Sequence, residues 1–273
     1  MSDRDAYRHG VPCWVETLQP DPEAATRFYG ELFGWSFTDP ARMPGDPPGR
    51  YFVARLEGDD VAGIGSQPPE YAEPLPAWIT HVFVDSTDEA AEKARGGGGE
   101  VVVDPLDVQP AGRVAVLRDP SGALFCAWEA GTRQGAQRVN EPSAWAMSTL
   151  NTPDPDGAKE FYRAVFGWET DTFQMGELEM TLWRVPGYVG GQPRQPVSRD
   201  VVGAMVPIAG NDGPPHWAVN FRIDDADGAA DNAARLGGDV VVPPHDLPGF
   251  REVVLADPQG AVFSVSELRR GTM

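Results

Sequence analysis

The eight residues FYGELFGW at 28–35 return 133 positions later as FYRAVFGW at 161–168, with Phe, Tyr, Phe, Gly and Trp in register. A chain that spells one apolar phrase twice must carry a duplicated structural unit, because each copy needs its own surface to bury it. The phrase reads as one face of a helix, since Ala25, Phe28, Tyr29, Leu32 and Phe33 fall on a single stripe at helical spacing. Asp21 stands where a cap belongs, Pro22 suits the first turn, Glu23 complements the dipole, and Gly34 can close the helix in the left-handed conformation. The second copy repeats this grammar with Asp154, Pro155, Ala158, Phe161, Tyr162, Val165, Phe166 and Gly167. The phrase is therefore a packing device and not a catalytic motif.

Short apolar segments precede each helix (PCWVETL, AWAMSTL), and strand-like pieces follow (YFVARL with VAGIG, EMTLWRV with VVGAMV), which makes a βαβββ unit. A second kind of unit comes after each. WITHVFVD leads to a helix from about Thr87 to Arg95 ended by Gly96–Gly99, then EVVVDP, RVAVLRDP and ALFCAWE. Its later copy runs from WAVNFRIDD through a helix at Ala226 to Leu236, then DVVVPP, REVVLADP and AVFSVSE. Asp-Pro and Gly in RDPSGALF and ADPQGAVF mark turns between strands. The reading is an α+β chain of two tandem domains, 8–130 and 144–270, each of two βαβββ units with curved mixed sheets around a cavity. The polar, aperiodic stretch 131–143 is the linker. Pro- and Gly-rich loops at 40–49, 66–76 and 186–199 can flank a cavity mouth, and His9 belongs to a mobile tail.

With 41 acidic against 22 basic side chains and a formal charge of −19, the chain repels phosphate backbones and anionic lipid surfaces, so nucleic acid and membranes are excluded as partners. Cys13 and Cys126 have neither CxxC spacing nor the density of a disulfide framework, and read as free thiols in a reducing cytoplasm. Neither a signal peptide nor a run of about 18 apolar residues is legible. Abundant Ala, Gly, Pro, Asp and Arg with few Lys points to a GC-rich, actinobacterial source.

The motif DPEAATRFYGELFGW and the paired DPSGALF and DPQGAVF turns resemble the vicinal oxygen chelate superfamily, the glyoxalase, bleomycin-resistance and dioxygenase fold, over nearly the whole chain. The doubled arrangement is similar to the two-domain actinobacterial proteins of the 27-kDa antigen type, often labelled hydroxylases. That resemblance implies a shared cavity per domain and, in family enzymes, a divalent ion held by His, Gln or Glu on the first and last strands of each unit. Trp14, Met147 or Trp145, Ile79, Ala218, Cys126 and Ser264 occupy those positions here. None is the imidazole or carboxylate that such an ion requires. The expected cofactor is therefore none. The alternative is a divalent metal such as Fe, Ni or Zn in a relocated site on Glu16 and His81, with Cys126 as a further donor.

Strand alternation puts Trp14, Glu16, Ile79, His81, Phe83, Cys126 and Trp128 toward the first cavity, and Trp145, Met147, Ala218, Asn220, Arg222, Ser264 and Ser266 toward the second. Such a lining suits a flat, partly oxygenated organic ligand, a natural product or quinone-like metabolite that stacks on indole. Two functions remain open. One is metal-independent binding of that ligand, for sequestration or resistance. The other is an enzyme, a lyase, isomerase or oxygenase of natural-product metabolism, in which Glu16 and His81 transfer protons or hold a relocated metal. No Ser-His-Asp order, phosphate-cradling loop or dinucleotide fingerprint is present. Two domains in one chain suit a monomer, and a homodimer is the other expectation.

Overall fold

The structure is a computed structural model, and it describes residues 7–43, 47–68, 76–175, 178–190, 199–209 and 213–269. The loops expected at 40–49, 66–76 and 186–199 lie in part outside these residues. Four modules follow one another. The first has β1 (Pro12–Gln19), α1 (Pro22–Phe33), short strands β2 (Ser36–Phe37) and β3 (Ala41–Arg42), β4 (Arg50–Leu56) and β5 (Asp59–Ser66). The second has β6 (Trp78–Phe83), α2 (Thr87–Gly96), β7 (Glu100–Val108), β8 (Gly112–Arg118) and β9 (Leu124–Ala130). The third has β10 (Trp145–Thr152), α3 (Pro155–Phe166), β11 (Glu169–Met175), β12 (Leu178–Arg184) and β13 (Val201–Pro207). The fourth has β14 (His216–Ile223), α4 (Ala226–Arg235), β15 (Asp239–Leu247), β16 (Phe250–Ala256) and β17 (Val262–Leu268). The strands belong to one nine-stranded and one eight-stranded mixed sheet.

The helix signals in the sequence are used as written. Asp21 accepts the Ala24 amide and Asp154 the Gly157 amide, while Gly34 and Gly167 close α1 and α3 at φ of 72° and 73°. Side chains with no Cβ penalty are needed there, because an L-residue is strained at positive φ.

The described residues group into two compact units, and neither unit is one half of the sequence. The first unit holds the described residues up to Cys13, with Ile79–Gly135 and Met147–Trp217. The second holds Trp14–Trp78, Ala136–Ala146 and the described residues from Ala218. The first unit contains the strand runs β6-β9-β8-β7 and β11-β12-β13-β10, and the second contains β2-β4-β5-β1 and β14-β17-β16-β15.

Each unit explains one copy of the repeated phrase. In the first, Phe161 of α3 lies against the glycines after α2, where a Cβ at Gly99 would stand 2.8 Å from its ring. The next residue, Tyr162, donates its hydroxyl hydrogen to Asp119 Oδ2 at 3.1 Å and accepts from the Trp217 indole at 2.8 Å. Asp119 Oδ1 accepts the amides of Ser121, Gly122 and Ala123 at 2.9–3.0 Å, which shapes the turn between β8 and β9. The second unit repeats the device. Phe28 of α1 faces Gly238, Tyr29 donates to Asp257 at 2.9 Å, and the Trp78 indole donates to Tyr29 at 3.0 Å. Burial first, then the neighbouring carboxylate, pushes both phenols well above their usual range, so they remain protonated donors. The glycine run at 96–99 is thus a landing for an aromatic ring, and the Asp-Pro turns receive a tyrosine as well as bending the chain.

The Trp that ends each phrase is also tied down. Trp168 donates to the Gly10 carbonyl at 2.6 Å and Trp35 to the Ser143 carbonyl at 2.7 Å. Gly10 also donates its amide to Phe83 at 2.8 Å, and His9 stands 3.5 Å from Asp85. His9 is therefore held in place, and the mobile tail expected there is corrected by these contacts. Residues 131–143 form no helix or strand, yet Gln137 exchanges backbone and side-chain bonds with Asp60 at 2.7 Å, and Arg138 pairs with Asp59 and Glu57.

Asp119→Ala leaves three turn amides and a buried phenol without their acceptor, so chemical denaturation should show a loss of about 3 kcal/mol. A loss below that of an ordinary surface substitution would show that the Tyr162–Asp119 bond does not hold the unit together.

Candidate functional site

The helices cover one face of the central strands. In the first unit Val82, Val84, Phe125 and Ala127 belong to the core around α2 and α3. In the second unit Phe33 of α1 meets Phe221, and Phe28 meets Phe263. Because side chains alternate along a strand, the residues between these positions lie on the opposite face. That face carries the side chains proposed from sequence.

In the second unit, Trp14 and Glu16 of β1 are linked by a residue the sequence reading missed. Tyr51 of β4 accepts the Trp14 indole hydrogen at 3.0 Å and donates its own hydroxyl hydrogen to Glu16 Oε2 at 2.7 Å. The register explains how it reaches them. Tyr51 pairs with Gly65, and the next same-face position on β5, Gly63, pairs with Glu16. The Tyr51 ring lies over Gly63, where any Cβ would strike its hydroxyl group and come within 3.0 Å of the Trp14 indole nitrogen. The alternating glycines of VAGIG were the signal, since two glycines on one strand face make room for a large side chain from a neighbouring strand.

In the first unit, β6 and β9 run parallel with His81 opposite Cys126 and Phe83 opposite Trp128. The His81 and Trp128 rings meet edge-on, 6.2 Å between centroids. Trp128 donates its indole hydrogen to the Arg133 carbonyl at 3.0 Å, which fixes its orientation. Cys126 is buried and free, as is Cys13, whose thiol is pushed up by burial. Met147, half-buried, is the Trp14 equivalent by register, and it belongs to this unit whereas Trp145 belongs to the other.

The last module, in the second unit, presents a different chemistry. A cross-strand row runs from His245 on β15 through Glu252 and Ser266 to Arg222 on β14, and the neighbouring row holds Val254, Ser264 and Asn220. The Asn220 amide donates to Ser264 at 2.7 Å and to Glu252 at 3.2 Å, and accepts from the Ser266 hydroxyl at 2.7 Å. Burial pushes the Glu252 carboxyl up, opposed in part by His245 and by the Ser264 hydroxyl. Glu252 was missed because it sits on an inner strand. Arg222 is 8% exposed and its guanidinium lies 5.0 Å over the Phe250 ring. The buried Trp145 indole N–H has no acceptor among the described residues.

Metal ligation can be tested on the donors present. Among the described residues no three His, Cys, Asp or Glu side chains converge to hold an ion. The positions that the resemblance implies for such an ion carry Trp14, Met147, Ile79, Ala218, Cys126 and Ser264. This donor set does not fit a hard divalent cation, which needs several imidazole or carboxylate ligands.

Four βαβββ modules define a doubled glyoxalase-like scaffold of two tandem domains. Residues 14–127 match the model of the Glyoxalase/Bleomycin resistance protein/Dioxygenase superfamily, and residues 146–266 match that of a glyoxalase-like domain. The chain belongs to this superfamily. It is similar to the putative glyoxylase CFP32 of Mycobacterium tuberculosis, with 38% identity covering 97% of each chain. It is also similar to the anthracycline biosynthesis protein DnrV of Streptomyces peucetius, with 33% identity covering 97% of this chain and 96% of that one. Among solved structures, the fold resembles the Mn(II)-bound glyoxalase from Novosphingobium aromaticivorans, with a TM-score of 0.62 and 19% identity covering 95% of this chain and 82% of that one. The 2,3-dioxygenase LapB from Pseudomonas sp. KL28 gives 0.61 and 15%, covering 95% and 93%. No helix among the described residues is long and apolar enough to cross a membrane.

The sign of the Glu252 effect follows from its raised carboxyl. Below its unfolded value the group is neutral in both states, and as pH rises the folded state resists ionisation, so stability falls until the folded value is passed. Glu252→Gln should therefore stabilise the protein at pH 8 relative to the parent, and the gain should vanish near pH 4. Thermal midpoints across pH check this, and a variant less stable at pH 8 would contradict it.

Proposed function

We propose that this chain binds a small aromatic, oxygen-bearing metabolite without a metal, using the Trp14, Tyr51 and Glu16 face in place of an ion. The carrying observation is the bonded chain of indole, phenol and carboxylate over Gly63. The half-buried Tyr51 ring, braced by the buried Trp14 indole, offers stacking area, and the carboxylate orients a hydroxylated ligand through hydrogen bonds. Phe83, His81 and Trp128 give the first unit a similarly aromatic face. The likeness to an anthracycline biosynthesis protein favours a flat polycyclic ligand of natural-product metabolism. We place the protein in the cytoplasm, as a monomer or homodimer.

An enzymatic reading has its own support in the 2.7 Å bond between Tyr51 and Glu16. A phenol bonded to a carboxylate can pass a proton to or from a bound enol, with Glu16 in the second unit or His81 in the first as the acid–base group. In that reading the ligand is a substrate of a lyase, isomerase or oxygenase.

Alizarin, a dihydroxyanthraquinone, distinguishes the two. Chelator-treated protein should bind it with quenching of Trp fluorescence, and Gly63→Ala, which displaces Tyr51, should weaken binding by about tenfold, the scale of one well-placed hydrogen bond. Unaltered affinity in Gly63→Ala would remove the Tyr51 face from the site. Conversion of the ligand by metal-free protein, lost in Glu16→Gln or in His81→Ala, would establish the enzyme instead.

A further inference from the structure

The two domains are copies, and their registers allow residue-by-residue comparison of the helix-free faces. His81 opposite Cys126 corresponds to Asn220 opposite Ser264, and Phe83 opposite Trp128 corresponds to Arg222 opposite Ser266. On the next strand Val114, opposite Trp128, corresponds to Glu252, opposite Ser266. One copy is apolar and aromatic. Its twin, at equivalent places, is polar and carries a buried positive charge.

That charge is unbalanced. Arg222 is more than nine-tenths buried, no hydrogen bond or ion pair of its side chain occurs among the described residues, and Nη1 is shielded from solvent. Its pairing with Phe250 is a cation–π contact, weaker than the hydration the guanidinium has given up. Guanidinium cannot shed its proton to escape the penalty, as a buried lysine can. Glu252, two strands away in the same row, engages Asn220 and not Arg222. A buried cation beside a hydroxyl, an amide and a ring, with no anion paired to it among the described residues, is arranged for an anion that arrives from outside.

We infer that the helix-free face of β14, β16 and β17 is a second binding site, taking a carboxylate carried on a planar organic frame, with Arg222 as its counter-ion. The carboxylate matches the guanidinium fork in two parallel hydrogen bonds. Ser266 stands opposite Arg222 in register with its hydroxyl bonded to Asn220, and the Phe250 ring lies 5.0 Å from the guanidinium, an aromatic surface beside the charge. This site uses neither Trp14 nor Tyr51, so it stands or falls apart from the function proposed above.

The probes are 2-naphthoate and its neutral analogue 2-naphthamide, titrated into the full chain by calorimetry with thermal midpoints recorded in parallel. Naphthoate should bind and raise the midpoint while naphthamide does neither. Arg222→Met should abolish the naphthoate response and raise the midpoint of the ligand-free protein, because it deletes an unpaired buried charge at similar volume. Arg222→Lys keeps the charge without the fork, and should remain folded while weakening naphthoate by about tenfold. Equal binding of acid and amide, an unchanged naphthoate affinity in either variant, or a ligand-free Arg222→Met that melts below the parent would overturn the inference. The last result would show that Arg222 is satisfied within the protein.

Discussion

A carboxylate withdrawn from water must be saturated with donors, and that requirement organises this protein. Asp119 and Asp257 each take turn amides on one oxygen and a buried tyrosine on the other. In both cases the tyrosine comes from the other half of the sequence, so neither half completes its own carboxylate shell. The FY of one half thus seats on the glycines and the Asp-Pro turn of the other, which is why the compact units cut across the duplicated order. The repeated phrase is what each half contributes to the packing of the other.

Helices and buried bonds occupy one face of the strands, and the opposite face carries buried side chains of its own, Trp14, His81, Cys126 and Arg222 among them. The copies kept the first face nearly unchanged, with Phe28 and Phe161, Tyr29 and Tyr162, Trp35 and Trp168 in matching roles. On the second face they diverged. Glu16 has Thr149 as its counterpart by register, and Tyr51 has Met180, so the indole–phenol–carboxylate chain exists in the first domain alone. The buried Arg222 exists in the second alone, where Phe83 stands in the first. Two domains of one fold therefore carry two chemically different surfaces on this face.

Much of the fold was legible because its signals are local. Asp21 and Asp154 as caps, Gly34 and Gly167 as stops, and the alternation that separates Trp14 and Glu16 from Val15 and Thr17 each need only a few neighbouring residues. The Tyr–Asp bonds were not legible, since Tyr162 and Asp119 are 43 positions apart and Tyr29 and Asp257 are 228 apart. A tyrosine on a buried helix stripe does announce that its hydroxyl needs a partner, without saying which. Tyr51 and Glu252 escaped because attention to the first and last strands of each module passes over the inner ones. The loneliness of Arg222 is a property of three strands together, and no pattern within β14 reveals it.

The central claim is that organic side-chain groups on the helix-free faces do the binding that an ion performs elsewhere in this superfamily. Calorimetric titration of Mn(II), Fe(II), Ni(II) and Zn(II) into chelator-treated full-length protein tests it most directly. The account predicts no saturable uptake of any of them at one ion per domain. Uptake of one ion per domain, competed by an oxygen-bearing ligand, would contradict it and make the protein an oxygen-chelating metalloprotein.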